Sequence, residues 1–449
     1  MRAGSAVTTG KRGPEMTLSA PVELPGMSRA GPKEKSFTKL IAAVSIGNAL
    51  EWYDISSYGY FAVYVSKAFF PNNDPAISLL LTFGTFGLAF LVRPIGGLIL
   101  GAYADRHGRK ASLMVSIVMM TIGTLTIAVM PTYDTIGILA PIAVLAARLL
   151  QGFSAGGEFG SSTAFLVEHA PDRRGFMASW QFASQGLSGL LSSAFGVGLI
   201  SLMTPAEMDA WAWRIPFLFG VLIGPVGIYI RSHLEDATVP PAAKQDSPIR
   251  EVFLHQKLRV ILGIGALAVS TAVNYLIVYM PTYVVKTLNL PPIVGFEATL
   301  AGGIAVTFLT PIAGMVSDKI GRTTHMIAVN LLLLFSIVPA FLVLTRNPMP
   351  AVIIIAVFWL ATLKALYFGP LAALMSELLP AASRATGLGL GYNIGVTVFG
   401  GMGPVFMTWL GGFAFIGDLS PAYYLTFVCI VSMVALITIR RTGAASHGA

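Results

Sequence analysis

Six charged side chains lie inside long apolar segments of this sequence, where a charge is costly and therefore marks a candidate functional site. They are three acids and three bases: Glu51, Asp54, Glu158, Arg93, Arg148 and Lys364. At about 1.5 Å of rise per residue, all but Glu158 fall near the middle of their segments. The sequence thus predicts a charged layer at the centre of an apolar molecule.

The acids are the candidates for carrying a proton. Gly47, Glu51, Asp54 and Tyr58 recur at i, i+4, i+7 and i+11, so they share one helix face that should line a wet cavity. Histidine is not a candidate proton carrier, because all six histidines fall in loops, at segment ends or in the tail. We expect Asp54 to carry the proton, with Glu51 second and Glu158 third.

The bases predict a site for an anion. Arg148 and Lys364 lie mid-segment with no interface near enough for snorkelling, whereas Arg93 can also brace the end of its helix. Because the six charges balance, a proton taken up by one acid leaves a net positive cavity that favours a carboxylate. Neutral polar groups are secondary candidates, since such groups more often bond a neighbouring helix; they are Gln151, Asn48, Asn274 and Tyr279.

A charged turn with the pattern Gly-x-x-x-Asp-(Arg or Lys)-x-Gly-Arg occurs twice, each time between the second and third apolar segments of its half. Its acids are Asp105 and Asp318, and its final arginines are Arg109 and Arg322. Each acid can cap the next helix or pair with an arginine, and each arginine can bind helix-end carbonyls or an acid. One copy would indicate a simple basic turn. Two matching copies predict an internal repeat and a latch that gates one end.

Composition excludes a soluble protein. Hydrophobic residues make up 55% of the chain and charged residues 11%, with mean hydropathy +0.74, whereas a soluble domain carries about 25% charged residues. The net charge of +8 does not indicate nucleic acid, because the basic residues cluster in the N-terminal tail, in alternate loops and in the C-terminal tail. The single cysteine, Cys429, excludes a disulfide framework, and we expect no metal and no cofactor. There is no P-loop for ATP.

The apolar segments predict an all-α integral membrane protein with twelve transmembrane helices in two six-helix bundles. The predicted spans are 38–68, 76–104, 112–130, 136–168, 176–203, 212–231, 258–286, 293–318, 324–344, 350–378, 384–411 and 420–440. The predicted domains are a disordered tail (1–36), two bundles (37–231 and 258–441), a linker between them (232–257) and a C-terminal tail (442–449). The positive-inside rule places both termini and the linker in the cytoplasm.

Several motifs carry a resemblance to a known family. The turn pattern resembles the signature of the major facilitator superfamily. Closer matches to its metabolite:proton symporters are GNALEWYD (47–54), RPIG (93–96), RLLQGFSAGGE (148–158) and WRIPF (213–217). Within that family, YMPTY (279–283) and TLNL (287–290) are most similar to the citrate and tricarballylate carriers. Lys364 and the run Ile55-Ser56-Ser57 depart from the citrate-like pattern.

The resemblance implies alternating access, proton symport and a small organic solute in a central cavity. We therefore expect a monomeric, proton-coupled importer of a small carboxylate (citrate, tricarballylate or a dicarboxylate) in a bacterial inner membrane, with sodium coupling left open. The alternatives are a carrier of zwitterionic osmolytes such as proline and betaine, or of a metabolite such as shikimate. A membrane-embedded enzyme or a receptor is a different class, and it is disfavoured by the repeat and by the absence of a catalytic constellation.

Overall fold

The computed structural model describes residues 37–107, 109–168, 170–233, 252, 254–413 and 415–444. The predicted N-terminal tail, most of the predicted linker and the end of the C-terminal tail lie outside these residues. At a few helical positions, among them Asp105, Arg109 and Glu158, the side chains also lie outside the description.

The described chain is built from α-helices joined by short turns. The helices of the first half are α1 (Phe37–Tyr60), α2 (Ala62–Phe69), α3 (Pro75–His107), α4 (Arg109–Val129), α5 (Tyr133–Ile136), α6 (Leu139–Ser154), α7 (Glu158–Glu168), α8 (Arg174–Leu202), α9 (Pro205–Ala210) and α10 (Ile215–His233). Those of the second half are α11 (Lys257–Lys286), α12 (Pro292–Ile320), α13 (Arg322–Arg346), α14 (Pro350–Glu377), α15 (Arg384–Val396), α16 (Gly403–Gly411) and α17 (Ser420–Thr442). A π-helical segment, Thr397–Gly401, lies between α15 and α16.

Ten helical segments in the described residues are long and apolar enough to cross a membrane. They are Pro75–Tyr103, Ala111–Val129, Leu139–Glu168, Pro171–Leu202, Lys257–Lys286, Pro292–Ile320, Arg322–Arg346, Pro350–Glu377, Arg384–Gly411 and Gly417–Thr442. Two predicted spans are not among them. The first carries Asn48, Glu51 and Asp54 and is interrupted at Phe61, and the sixth contains only a shorter apolar helix, Ala212–Val226. The count of twelve therefore stays a prediction.

The described helices from Ile41 onward belong to one contact unit, so the division into two bundles also stays a prediction. Helices α8 and α12 pack side by side in opposite directions and join the two halves. Backbone-level contacts run along this pair, because a Cβ atom on Gly175 would lie 2.6 Å from the Gly314 carbonyl oxygen and one on Gly303 would lie 2.8 Å from the Leu190 Cα atom. Small residues thus set the distance between the halves.

The predicted fourth span is broken. Helix α6 ends at Ser154 and α7 begins at Glu158, with a turn between them that contains Gly156 and Gly157. A Cβ atom on Gly156 would overlap the Arg93 carbonyl oxygen, and one on Gly152 would overlap that of Ala89. The glycines therefore bring α6 against α3, which places the central residues of both helices next to each other.

Candidate solute-binding site

Arg148 lies in α6, and its side chain is fully buried. Its Nη1 atom donates to Gln151 Oε1 at 2.8 Å, while the guanidinium carbon lies 4.5 Å from the centre of the Tyr58 ring and 5.1 Å from that of Phe86. The Nε atom is buried without a hydrogen-bond partner. Since buried donors are normally satisfied, this N–H group is available to a ligand.

Arg93 in α3 is the second buried guanidinium of the first half. Its Nη2 atom donates at 3.3 Å to Glu51 Oε1 and at 3.3 Å to the Ala155 carbonyl oxygen, which the break after α6 makes accessible. Its Nε and Nη1 atoms have no partner, and the guanidinium lies over the rings of Trp52 and Phe90 at 5.0 and 5.1 Å. Arg93 therefore pairs with an acid and still has donors to offer.

The two arginines line one small space between α3 and α6, which in this structure is too narrow to hold a water molecule. Its lining residues are Ile55, Ala89, Phe90, Arg93, Arg148, Gln151 and Gly152. All of them belong to the first half of the chain. The space combines two cations and an amide with an apolar wall, and such a combination suits a small anion with a compact carbon skeleton.

Asp54 is buried but does not line this space. Its Oδ1 atom has no hydrogen-bond partner and points at Gly220 in α10, so closely that a Cβ atom there would overlap it. The carboxyl group also interacts with Thr124 of α4 and, electrostatically, with Arg148. Asp54 of α1 thus faces α4 and α10. It is a neighbour of Arg148 but does not line the space itself.

Lys364 of α14 is buried in the second half, and its Nζ atom donates to Asn274 Oδ1 at 2.6 Å. The ammonium group lies 4.9 Å from the centre of the Phe368 ring, which stacks on Phe182 of the first half at 4.2 Å. Among the described side chains no ion pair involves Lys364. The Lys364 ammonium group is therefore bound by a neutral amide and not by an acid, and it lies beside the interface between the halves.

The remaining neutral candidates bind other helices. Asn48 donates to the Gln181 carbonyl oxygen at 2.8 Å and to Ser184 Oγ at 2.7 Å, which ties α1 to α8. The Tyr279 hydroxyl group accepts from Thr408 at 3.4 Å, and its ring packs on Phe83. Neither residue lines the space between the arginines.

The second charged turn forms an ionic network within the second half, and this network also binds the start of α8 in the first half. The Asp318 carboxylate accepts hydrogen bonds from the backbone N–H groups of Gly175 (2.9 Å) and Phe176 (3.0 Å) at the start of α8. Arg322 donates to Asp318 at 2.9 Å and to Glu377 at 2.7 Å. The sequence predicted the pairing with an arginine, but the helix that Asp318 caps is in the other half and is not the next one. The side chains of the first turn, Asp105 and Arg109, lie outside the described residues.

The halves also touch at the opposite end of α8. Ser193 donates to Thr299 at 2.8 Å, and Phe61 packs against Phe296 with ring centres 5.1 Å apart. The two halves therefore contact each other near both ends of α8.

Sequence reasoning missed the aromatic lining and one polar neighbour. Trp52, Phe86 and Phe90 lie under the guanidinium groups, and Thr124 connects Gln151 to the Asp54 region. Two of these had a signal, since Trp52 follows Glu51 directly and Phe90 lies one turn before Arg93. Nothing in the sequence indicated Thr124.

The model of the Major Facilitator Superfamily matches residues 44–404. The chain belongs to the major facilitator superfamily. This facilitator-superfamily chain is 38% identical to a citrate-proton symporter of Klebsiella pneumoniae (90% of this chain, 92% of that protein). It is 36% identical to one of Salmonella typhi (93% and 96%) and 34% identical to a proline/betaine transporter of Escherichia coli K12 (90% and 83%). The protein is a multi-pass membrane transporter and not an enzyme.

Solved structures support the superfamily fold. A crystal structure of a D-xylose-proton symporter superposes with a TM-score of 0.71 at 18% identity, covering 88% of this chain and 97% of that one. A partially occluded, inward-open xylose transporter from E. coli gives 0.70 at 15% identity (90% and 97%). At these identities the likeness concerns the fold alone.

Proposed function

We propose that the protein imports a small di- or tricarboxylate together with protons by alternating access. Arg148 and Arg93 hold the anion in the space between α3 and α6, with Gln151 beside them. Lys364 approaches from the second half and binds a further carboxylate group. The 36–38% identity to two citrate-proton symporters supports this solute class.

The observation that carries the proposal is the pair of incompletely satisfied guanidinium groups that line one small space between α3 and α6. Three buried N–H-bearing atoms, two on Arg93 and one on Arg148, have no partner. A carboxylate offers several acceptor sites and binds guanidinium groups through charge-assisted hydrogen bonds. An anion would therefore satisfy the donors that the protein leaves open.

Protons are the coupling ion that we propose, with sodium as the alternative. Asp54 is the first carrier because its carboxyl group is buried, has an unpartnered oxygen and interacts with Arg148. Glu51 is the second candidate because it pairs with Arg93, and Glu158 is the third. The carrier and the anion site are then adjacent but distinct, which lets one influence the other.

The two charged turns gate the cytoplasmic end in this proposal. Asp318 holds the start of α8, and Arg322 ties Asp318 to Glu377. Arg384 pairs with Glu168 across the halves at 3.4 Å and reinforces the same end. Opening toward the cytoplasm requires these contacts to break. Asp105 and Arg109 act likewise in the first half.

The membrane arrangement is also part of the proposal. We place twelve helices across a bacterial inner membrane, with α1 and α2 as the first and α10 as the sixth, and with both termini in the cytoplasm. Asn48, Asn274 and Tyr279 contribute polar groups next to the cavity when it opens. The protein acts as a monomer in contact with lipid.

An osmolyte carrier is the second candidate, favoured by the 34% identity to a proline/betaine transporter and by the aromatic rings near Arg93 and Arg148. A quaternary ammonium group binds such ring faces. Here, however, the guanidinium groups already occupy those faces. The geometry therefore favours an anion over a zwitterion.

Uptake of labelled citrate into proteoliposomes with an imposed pH gradient, acidic outside, tests the proposal. We expect Arg148→Gln to lower kcat/KM by roughly 100-fold, because losing one partner of a buried charged contact costs about 3 kcal/mol. The matched control is Arg214→Gln. Arg214 also lies over an aromatic ring, that of Trp213, but it binds the Met130 carbonyl oxygen far from the site, so its variant should transport like the wild type. Wild-type uptake that ignores the pH gradient, or that betaine inhibits and tricarboxylates do not, would refute the proposed function.

A further inference from the structure

A chain of hydrogen bonds leads from the candidate anion site back to α4. Arg148 Nη1 donates to Gln151 Oε1 at 2.8 Å, and Gln151 Nε2 donates to Thr124 Oγ1 at 2.8 Å. The Thr124 hydroxyl group in turn donates to the Met120 carbonyl oxygen at 3.0 Å. All four residues are buried, so the orientation of each group depends on the next.

The end of this chain lies beside Asp54. Thr124 is a neighbour of the Asp54 carboxyl group, because both residues face Gly220, where a Cβ atom would overlap Asp54 Oδ1 and lie 3.0 Å from Thr124 Cγ2. Asp54 Oδ1 has no partner of its own. The Thr124 hydroxyl group donates to the Met120 carbonyl oxygen in this structure and has the carboxylate as a second acceptor nearby, with a single hydrogen to give.

We propose that Thr124 is a positioning residue that transmits the protonation of Asp54 to Arg148 through Gln151. The inference rests on the proposed proton-coupled function and adds to it the path between the two sites. Thr124 is buried, and in this proposal it contacts neither the solute nor the surrounding water.

The hydrogens can be followed through both states. When Asp54 is ionised, Thr124 donates to the carboxylate, because a charged acceptor makes the stronger bond. This polarises the Thr124 oxygen as an acceptor for Gln151, so Gln151 holds Arg148 more firmly. When a proton arrives on the carboxylate, the Thr124 hydrogen returns to the Met120 carbonyl oxygen and the chain weakens. Arg148 is then freer to turn its donors to the anion, so the proton binds first.

A direct electrostatic effect is the competing explanation. Among the described side chains, the charged and titratable groups that face Asp54 are Arg148 from α6 and the neighbouring Tyr53 of α1, while α4 and α10 contribute the neutral Thr124 and Gly220. Protonation also removes the attraction between Asp54 and Arg148, whatever stands at position 124. Only the relay requires a hydroxyl group on Thr124, and this difference makes the two accounts separable.

The test compares Thr124→Val with Thr124→Ser and the control Thr126→Val. Thr126 lies on the same helix and donates to the Ile122 carbonyl oxygen at 2.8 Å, so its replacement removes a similar bond outside the relay. The readouts are the KM for citrate at two pH values and the number of protons taken up per citrate in proteoliposomes. For the wild type we expect KM to rise roughly tenfold from about pH 6 to about pH 8.

In Thr124→Val the rise in KM should fall to about twofold and the proton uptake per citrate should drop, while Thr124→Ser and Thr126→Val should match the wild type. A Thr124→Val variant with wild-type pH dependence and proton uptake would overturn the relay and leave the proposed function standing. If Thr124→Val is transport-dead, equilibrium citrate binding to the purified variant at both pH values decides by the same criterion. A wild type without citrate-driven proton uptake would refute the proposed function itself.

Discussion

The two halves of the molecule carry the same turn motif but treat charge at their centres differently. In the first half, Arg93 and Arg148 lie among acids and aromatic rings around one space. In the second half, Lys364 rests on a neutral amide, and the described ionic network lies at the turn around Asp318. Under the proposed function, the first half supplies the binding chemistry and the second half supplies one cation and the gate.

Two ion pairs show that burial affects the energetic contribution of an ion pair more than the distance between its atoms does. Lys67 and Asp209 approach to 2.8 Å, yet their side chains are 54% and 45% exposed. Arg93 and Glu51 are 3.3 Å apart with side chains only 2% and 11% exposed. Water screens the first pair, so it contributes little, whereas breaking the second removes a partner from a buried charge.

The largest effect on stability should come from Arg93→Gln. We expect it to lower the free energy of unfolding by about 3 kcal/mol, because Glu51 and the Ala155 carbonyl oxygen both lose a donor at a buried position. Thermal unfolding of the purified protein in detergent measures the change. Lys67→Gln is the control and should cost about 0–1 kcal/mol. If Arg93→Gln and Lys67→Gln lowered the free energy of unfolding equally, the buried ion pair would not differ in energy from the exposed one, which would contradict this comparison.

Lys364→Met tests whether Lys364 makes the protein distinguish solutes by their number of carboxylate groups. We expect the KM for a tricarboxylate to rise about tenfold and that for a monocarboxylate to change little, since one charged contact is lost. Competition against labelled citrate measures both. Lys286→Met is the matched control, because Lys286 ends α11 in an exposed position. Equal losses for all solutes would show that Lys364 supports the fold and does not bind solute.

Asp318→Asn should have an effect that is confined to one end of α8. The amide accepts less strongly than a carboxylate from the N–H groups of Gly175 and Phe176, and it loses the favourable interaction with the start of α8. We expect those two amides to exchange hydrogen about tenfold faster, which corresponds to about 1.4 kcal/mol. Asp134→Asn, in the exposed turn before α6, is the control. Unchanged exchange at α8 would contradict the gating role.

The sequence predicts many of the helices and buried charges, but it does not predict the contacts between helices. Apolar length predicted ten of the helices that are long enough to cross a membrane. Charge placement predicted that Arg93, Arg148 and Lys364 lie inside the molecule, and all three are buried. Gln151 follows Arg148 by three residues in the same helix, and the two side chains are hydrogen-bonded. Such patterns describe one helix at a time. They do not fix how a helix is rotated against its neighbours.

The missed contacts all lie between helices. Asp54 shares a predicted face with Glu51, yet it turns toward Gly220 and Thr124 because a glycine in α10 leaves room there. The break after Ser154 is stabilised by Asn393, whose Nδ2 atom donates to the Gly156 carbonyl oxygen from the other half at 2.7 Å. Partners so distant along the chain leave no local pattern in the sequence.

Equilibrium binding of citrate to the purified protein, with simultaneous measurement of proton uptake, tests the account most directly. We predict that the wild type binds citrate and takes up protons as it does so, and that Arg148→Gln weakens binding by roughly 100-fold while remaining folded. Citrate binding of wild-type strength in Arg148→Gln, or wild-type binding without proton uptake, would contradict it.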